Sequence, residues 1–595
     1  MLSCRHLFAN ICLAFVASQL AGAVRAEDSP KPRPETTASD TWVATDELGR
    51  VLPGYAECGP PKADRTVGIF YFLWMERRAE GPILDITKLL AENPEKPRFG
   101  PEGVFHFWGE PHLGYYVSDD DFVIRKHAQL LSDAGVDVVI FDVTNVLTYD
   151  STYLKICEIY TRIRREGGKT PQVAFLTNTE ADKVVKKLYR DFYSKGVHSD
   201  LWFRWKGKPL MMSSSEGIDP KIQEFFTMRR SWAWTDPGGW FGDGKDRWPW
   251  LDHYPQKAGW HERPDKPEGM PVCVAEHPIS NIGRSFHGGK EPAPEFQRPG
   301  EGLGFAEQWT RALEVAPEFL FVTGWNEWIA QRFIAHDNNS PKTLGSKSIG
   351  IGDTFFVDAY DQEYSRDIEP MRGGHGDNYY YQMAANIRRY KGVSVPPKAS
   401  APKSIAIDGD FRQWDDVGPG FADDLGDTTH RDEPSYGHSL TYINKTGRND
   451  LDLMKVARDG KHLYFYARTR APITEPSGDN WMCLLLDTDG KHETGWQGYD
   501  MVVNRSRPDA KTCLVERYKN GAWEKLGSVP FSKEGRELHL AIPRDLLGYA
   551  PEADPIQVDF KWADNVPGFE NILDFIDKGD VAPNARFNYR YLTAP

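Results

Sequence analysis

The sequence lacks the short signatures of several chemistries. No CxxC or HExxH spacing offers a zinc site. No GxSxG turn offers a serine nucleophile, and neither a P-loop nor a Cys-x-Pro-x-Arg run is present. A glycine-rich dinucleotide fingerprint is missing too. The seven cysteines are widely spaced and form no disulfide framework. Cys483 and Cys513 share one strand-rich region and could pair, although two buried thiols is the plainer reading. Positive charge is scarce: the net charge of −14 excludes nucleic acid as the main partner, because phosphate binding needs clustered Lys and Arg. After the amino-terminal segment no apolar stretch reaches 18 residues, so the mature chain is expected to carry no membrane span.

What is present begins with Arg5 and His6, an apolar run from Leu7 to Leu20, and the small residues of Val24-Arg25-Ala26. Residues 1–26 read as a signal peptide, which implies a secreted or periplasmic protein. Residues 27–62 look like a loose leader rich in Pro, Thr and acidic residues. From there to residue 391, apolar strand-like runs alternate with amphipathic helices. The runs are 67–74, 136–141, 172–177, 209–213, 230–234, 272–275, 319–323 and 354–360. Ser118-Asp119-Asp120-Asp121 caps a helix that runs through Ala134 and ends at Gly135, and further helices cover 151–165, 181–195, 305–315 and 378–390. This alternation predicts an α/β fold, a (β/α)8 TIM-type barrel over 63–391. A Pro- and Ser-rich linker covers 392–403. Beyond it, over 404–595, short alternating runs separated by turns predict an all-β sandwich.

Aromatics are abundant, with 19 Trp and 25 Tyr. Eleven of those Trp lie between Trp202 and Trp328, enough to line a cleft as well as a core. A parallel barrel gathers its chemistry at the C-terminal ends of its strands. The polar residues expected there are Glu76, Asp142 with Asn145, Asn178, Asp236, Glu276 with His277, Asn326 with Glu327, and Asp358 with Asp361 and Glu363. Carboxylates perform acid/base and nucleophilic work at an acetal, and Trp faces stack on sugar rings. Glu327 leads the catalytic candidates because it follows a wholly apolar strand and stands between two Trp. Asp142 is its first-choice partner, with Asp361 and Glu363 next. Trp74, His112, Asn145, Asn178, Trp234, Asp236, Glu276, His277, Trp325, Asn326 and Trp328 are the substrate-binding candidates. The reaction requires no cofactor. Asp487, Asp489 and Asp500 offer oxygen ligands for a structural calcium in the C-terminal domain, where a solvated acidic turn is the plainer alternative.

Gly324-Trp325-Asn326-Glu327-Trp328, with the runs 67–74 and 135–142, resembles the barrels of glycoside hydrolase families 71 and 99, which include endo-α-mannosidases. The resemblance implies a glycosidase acting on a polysaccharide or complex glycan, with Glu327 as the first of two glutamates three residues apart. The second position is Ala330, so that family's acid/base is absent from its place. The segments 405–411, 486–489 and 495–500 resemble family 9 carbohydrate-binding modules, which hold sugars between Trp side chains. That likeness makes Trp496, together with Trp481, Trp523 and Trp562, a candidate platform. A glycan-binding protein on a degenerate barrel and a polysaccharide lyase are the alternatives to hydrolysis.

Overall fold

The computed structural model describes residues 37–236 and 239–593. The expected signal peptide lies outside them. Seven strands form a curled parallel sheet: β1 (Thr66–Tyr71), β2 (Val138–Asp142), β3 (Gln172–Leu176), β4 (Lys208–Met212), β5 (Thr227–Arg229), β6 (Pro267–Cys273) and β7 (Phe319–Trp325). Their order is β5-β4-β3-β2-β1-β7-β6. Between β5 and β6, residues 247–251 run parallel to the end of β5 through the bridges Arg230–Arg247 and Ala233–Leu251. The segment 354–360, expected as the eighth parallel strand, is not in this sheet. Thr354–Phe356 instead pairs antiparallel with Ile329–Ile334, which in turn pairs with Phe105–Phe107.

The period-two alternation of side chains divides the strands into two cores. Phe70, Phe72, Val138, Ile140, Phe319 and Phe321 point into the curl. Ile69, Tyr71, Val139, Phe141, Leu320 and Val322 point outward to the helices. Those helices are α1 (Asp121–Ala134), α2 (Asp150–Arg165), α3 (Ala181–Leu188), α4 (Pro220–Phe225), α5 (Leu303–Val315) and α6 (Asn378–Lys391). As the sequence predicts, the Asp120 side chain caps α1 by accepting from the Phe122 and Val123 N–H groups, and Gly135 ends the helix in the left-handed region.

The C-terminal region is an antiparallel sheet system. Its strands are β8 (Phe421–Ala422), β9 (Leu451–Arg458), β10 (His462–Thr469), β11 (Cys483–Asp487), β12 (Met501–Val503), β13 (Thr512–Lys519), β14 (Ala522–Glu534), β15 (Glu537–Pro543), β16 (Gln557–Asp564), β17 (Asp580–Ala582) and β18 (Tyr589–Leu592). The order is β8-β9-β10-β15-β14-β13-β12-β11-β16-β17, with β18 also on β16. The long β14 joins the two halves, pairing with β13 along 522–530 and with β15 along 531–534. Cys483 and Cys513 are unpaired and buried, like Cys58, Cys157 and Cys273.

The described part of the leader, 37–62, is a packed strap and not a loose segment. Trp42 is buried edge-on against Phe587 and Tyr589, and Val43 bridges to Asn588. Arg50 reaches the backbone of Glu301 and Asn378. One continuous apolar core holds residues from the strap, the helical layer and the antiparallel region together. Ion pairs of buried arginines cross the same seam. Arg586 donates to Asp377 (2.5 Å) and Glu47 (2.8 Å), and Arg431 donates to Asp120 (2.8 Å).

Candidate active site

The site lies at the C-terminal ends of the parallel strands. Asp142 is the last residue of β2. Phe141 points outward, so Asp142 points inward, and it is buried. It accepts from the Thr144 N–H (3.0 Å), and the Trp74 indole lies close enough to favour its charged form. Burial raises its pKa to about 6, and the nearby Asp358 charge adds to the shift.

Glu327 follows β7 and is also buried. Both its oxygens are taken by Arg366, from Nε (2.9 Å) and Nη2 (2.5 Å). Burial pushes its pKa up to about 7. The Arg366 charge pulls the other way, while the Asp358 and Asp142 charges raise it further. Arg366 also donates from Nη1 to the Glu276 carbonyl (2.7 Å), and its guanidinium lies over the Trp250 ring. Asp358 stands 3.7 Å from Arg366 Nη2 with its side chain partly open to solvent. Three carboxylates and one buried arginine therefore form a single electrostatic cluster.

A second group flanks it. Glu276 is buried, accepts from the Trp234 indole (3.1 Å) and pairs with His253 Nδ1 (2.5 Å). That carboxylate raises the pKa of His253. His277 packs edge-on against Trp234, and burial, with help from Arg366, lowers its pKa to about 3, so it is neutral. Trp74, Trp234 and Trp250 are half-buried. They form the ring surface nearest the carboxylates.

Several expected site residues belong elsewhere. Ile69 pairs with Val322 but Tyr71 pairs with Trp325, so β7 carries an extra residue and its alternation slips. Trp325 consequently turns outward and packs against His127 and Tyr380. Trp328 is fully buried, stacked on Trp108 at 4.6 Å, with its indole on Glu369 (2.6 Å). Neither ring can touch a substrate. Asn326 is a brace: its amide accepts from the Phe72 N–H (2.8 Å) and donates to the Phe72 carbonyl (2.9 Å), which fixes the end of β1. His112 bonds Asp577 across the seam. Asp361 accepts from the Glu363 and Tyr364 N–H groups, and Glu363 accepts from Ser285 N (2.5 Å) and Oγ (2.7 Å). Asp361 is thus tied to its own turn through Oδ1, and Ser285 holds both oxygens of Glu363. Asp236 is exposed and paired with Lys257. Asn145 is exposed; Asn178 is exposed beside a 420 Å³ cavity that Ser214, Ser231 and Arg230 also line.

In the antiparallel region, Trp481 and Trp562 are fully buried. Trp496 packs among Tyr499, Phe569 and Phe575. These three are core residues, leaving only Trp523 partly open. Asp487, Asp489 and Asp500 do converge, with one oxygen of each within 4.8 Å of the others. Burial and the nearby Asp559 and Asp500 charges push the Asp487 pKa up to about 7.

Sequence reasoning missed Arg366 and His253 and did not place Asp358 beside Glu327. Arg366 lies 39 residues beyond Glu327 in an irregular segment, where no periodicity marks it.

No family model and no curated protein matches the chain. Among solved structures, a GH99 endo-α-mannosidase from Bacteroides thetaiotaomicron in complex with bis-tris-propane is 14% identical with a TM-score of 0.32. The match covers 55% of this chain and 97% of that one. A glycoside hydrolase-like protein is 12% identical with a TM-score of 0.31, over 57% and 96% of the two chains. A Thermotoga maritima α-L-fucosynthase is 10% identical with a TM-score of 0.22, over 83% and 95%. Likenesses this slight decide neither fold nor activity.

Proposed function

We propose that the protein is an exported glycoside hydrolase acting on a polysaccharide or complex glycan. The observation that carries this reading is the convergence of Glu327, Asp142 and Asp358 on one strand-end site beside half-buried Trp rings. Cleavage of an acetal needs a proton for the leaving oxygen and a negative group for the oxocarbenium-like transition state. The bidentate Arg366 contact is the geometry of an ionised carboxylate, so Glu327 is assigned the negative role. Asp142, buried and free of a cationic partner in its hydrogen bonds, carries the proton in the productive form. That form is the less populated of the two singly protonated forms, because the Asp142 pKa of about 6 lies below the value of about 7 for Glu327. Trp74 lies beside Asp142 and, half-buried, offers a ring at the mouth. Export rests on the amino-terminal sequence, and no helix among the described residues is long and apolar enough to cross a membrane. Calcium at Asp487, Asp489 and Asp500 belongs to the same proposal as a structural ion.

The test is incubation with a panel of polysaccharides and glycans across pH 4–9, reading release of reducing ends. The two carboxyls interact and titrate as a pair. The form holding one proton between them dominates between the two values, about 6 and about 7. A bell-shaped kcat/KM profile with its maximum in that window is expected. Asp358→Asn removes a negative neighbour of both groups, so it should move both limbs toward acid. A profile flat from pH 5 to 8 would dissociate this pair from the chemistry.

One specific observation favours a second reading. Ala330 supplies no acid, and Arg366 occupies both oxygens of Glu327. Those features also suit a glycan-binding protein on a degenerate barrel. Saturable binding to one member of the panel, without new reducing ends at any pH, would select it.

A further inference from the structure

The seam between α1 and the antiparallel region contains an acidic centre that the proposed reaction does not use. Asp423 and Asp427 follow β8, and Asp580 opens β17. All three are buried, and one oxygen of each lies within 4.8 Å of the others. Asp427 accepts from the Gln129 amide of α1 (3.0 Å), and Asp580 from the Leu451 N–H (2.6 Å). These bonds leave four buried oxygens without a hydrogen-bond donor: both of Asp423, one of Asp427 and one of Asp580. A buried, unsatisfied carboxylate is costly, and three together repel one another.

The surrounding charge makes the deficit larger. Asp424, Asp133 and Asp450 add three more buried or half-buried carboxylates. Against them stand Lys126, 3.7 Å from Asp427, and Lys561, which is fully buried and donates to the Pro583 carbonyl. Burial lowers the Lys561 pKa to about 7, so it is a half-charged partner at neutral pH. Arg470, 3.6 Å from Asp450, is exposed at the rim. Arg125 is committed to Glu166 and the Leu425 carbonyl. The amines do not balance the carboxylates.

We propose that Asp423, Asp427 and Asp580 bind one calcium ion that clasps α1 to the antiparallel region. The free donors are all hard oxygens, which suit calcium and not a thiolate- or imidazole-seeking metal. Such an ion would sit where one oxygen of each carboxylate converges and would cancel their repulsion. This centre is distinct from Asp487, Asp489 and Asp500, whose Asp487 and Asp500 carboxylates accept several N–H and hydroxyl donors of their own turn.

The experiment uses the full chain carrying Asp487→Asn and Asp500→Asn, stripped with EDTA and returned to calcium or magnesium chloride at pH 7. Expected are one calcium per chain by elemental analysis and a rise in Tm of about 5 °C or more with millimolar calcium, since a ligand bound only by the native state stabilises it. Magnesium should do less. Adding Asp423→Asn or Asp580→Asn should abolish the calcium shift while raising the Tm of the stripped protein, because a repelling charge is gone. A purely structural aspartate would instead lose stability in the stripped state. Terbium luminescence of the Asp487→Asn, Asp500→Asn chain, competed by calcium, gives a readout if the further variants fail to fold. No calcium-dependent shift and no competed terbium signal would overturn the proposal. So would a shift that survives both Asp423→Asn and Asp580→Asn.

Discussion

Glu327→Gln is expected to lower kcat/KM about 10³-fold, because it removes the negative group facing the oxocarbenium-like transition state. The same change has a structural consequence. The substituted amide would keep the shape of the carboxylate but not its charge, leaving buried Arg366 with Asp358, 3.7 Å away, as its remaining carboxylate partner. Removing one partner of a buried pair costs about 3–5 kcal/mol. The loss of activity must therefore be read on protein shown to be folded, by near-ultraviolet dichroism at low temperature. Asp142→Asn is the cleaner companion, because its carbonyl can still accept from Thr144. It should lose hydrolysis comparably with little change in Tm. Arg366→Met separates the roles further: it frees Glu327 of its cation, raises the carboxyl pKa, and shifts the alkaline limb of the profile upward. Near-normal turnover by folded Glu327→Gln would remove that residue from the mechanism.

The second large effect concerns the seam. A chain ended at residue 403 is expected to fail to fold, even though the sequence places a linker there. The truncation would strip Phe587 and Tyr589 from Trp42, and Phe587 from Tyr380 and Tyr381. It would also leave Asp377 and the α1 cap Asp120 without their arginines, both carboxylates being buried. Unpaired buried charge and exposed rings both act against the isolated α/β region. The intact chain should melt in one calorimetric transition. Arg586→Met, which breaks a single seam pair, should lower Tm by about 3–4 °C, from about 3–5 kcal/mol spread over a unit of this size. Two separate transitions, or a soluble, cooperatively melting fragment 27–403, would show that the halves are independent.

Much of the architecture was legible locally. The helix at 121–134 announces itself through its Asp cap, its apolar period and its closing glycine, and all three recur in the structure. The strands of the curled sheet read as apolar runs because both of their faces are buried. The residues 247–251 did not, because Trp248, Pro249 and Trp250 resemble a loop and make only isolated bridges. The run 354–360 misled in the opposite sense: its strand composition is real, but its partner is a neighbouring hairpin rather than the parallel sheet.

By itself the sequence determined the alternation of strands and helices, the antiparallel character of the C-terminal half, and the presence of Glu327 and Asp142 at strand ends. These follow from periodicity and capping, which act over a few residues. Only the tertiary structure decided which neighbours those carboxylates keep. An extra residue in β7 turned Trp325 outward, and stacking on Trp108 buried Trp328. Arg366 and Asp358 came to Glu327 from segments more than 30 residues away, Asp358 next to a strand outside the parallel sheet. The strap, the shared core and the orphan oxygens of Asp423 were likewise set by long-range packing. Such contacts leave no periodic trace, because each joins residues whose only relation is their meeting in the folded chain.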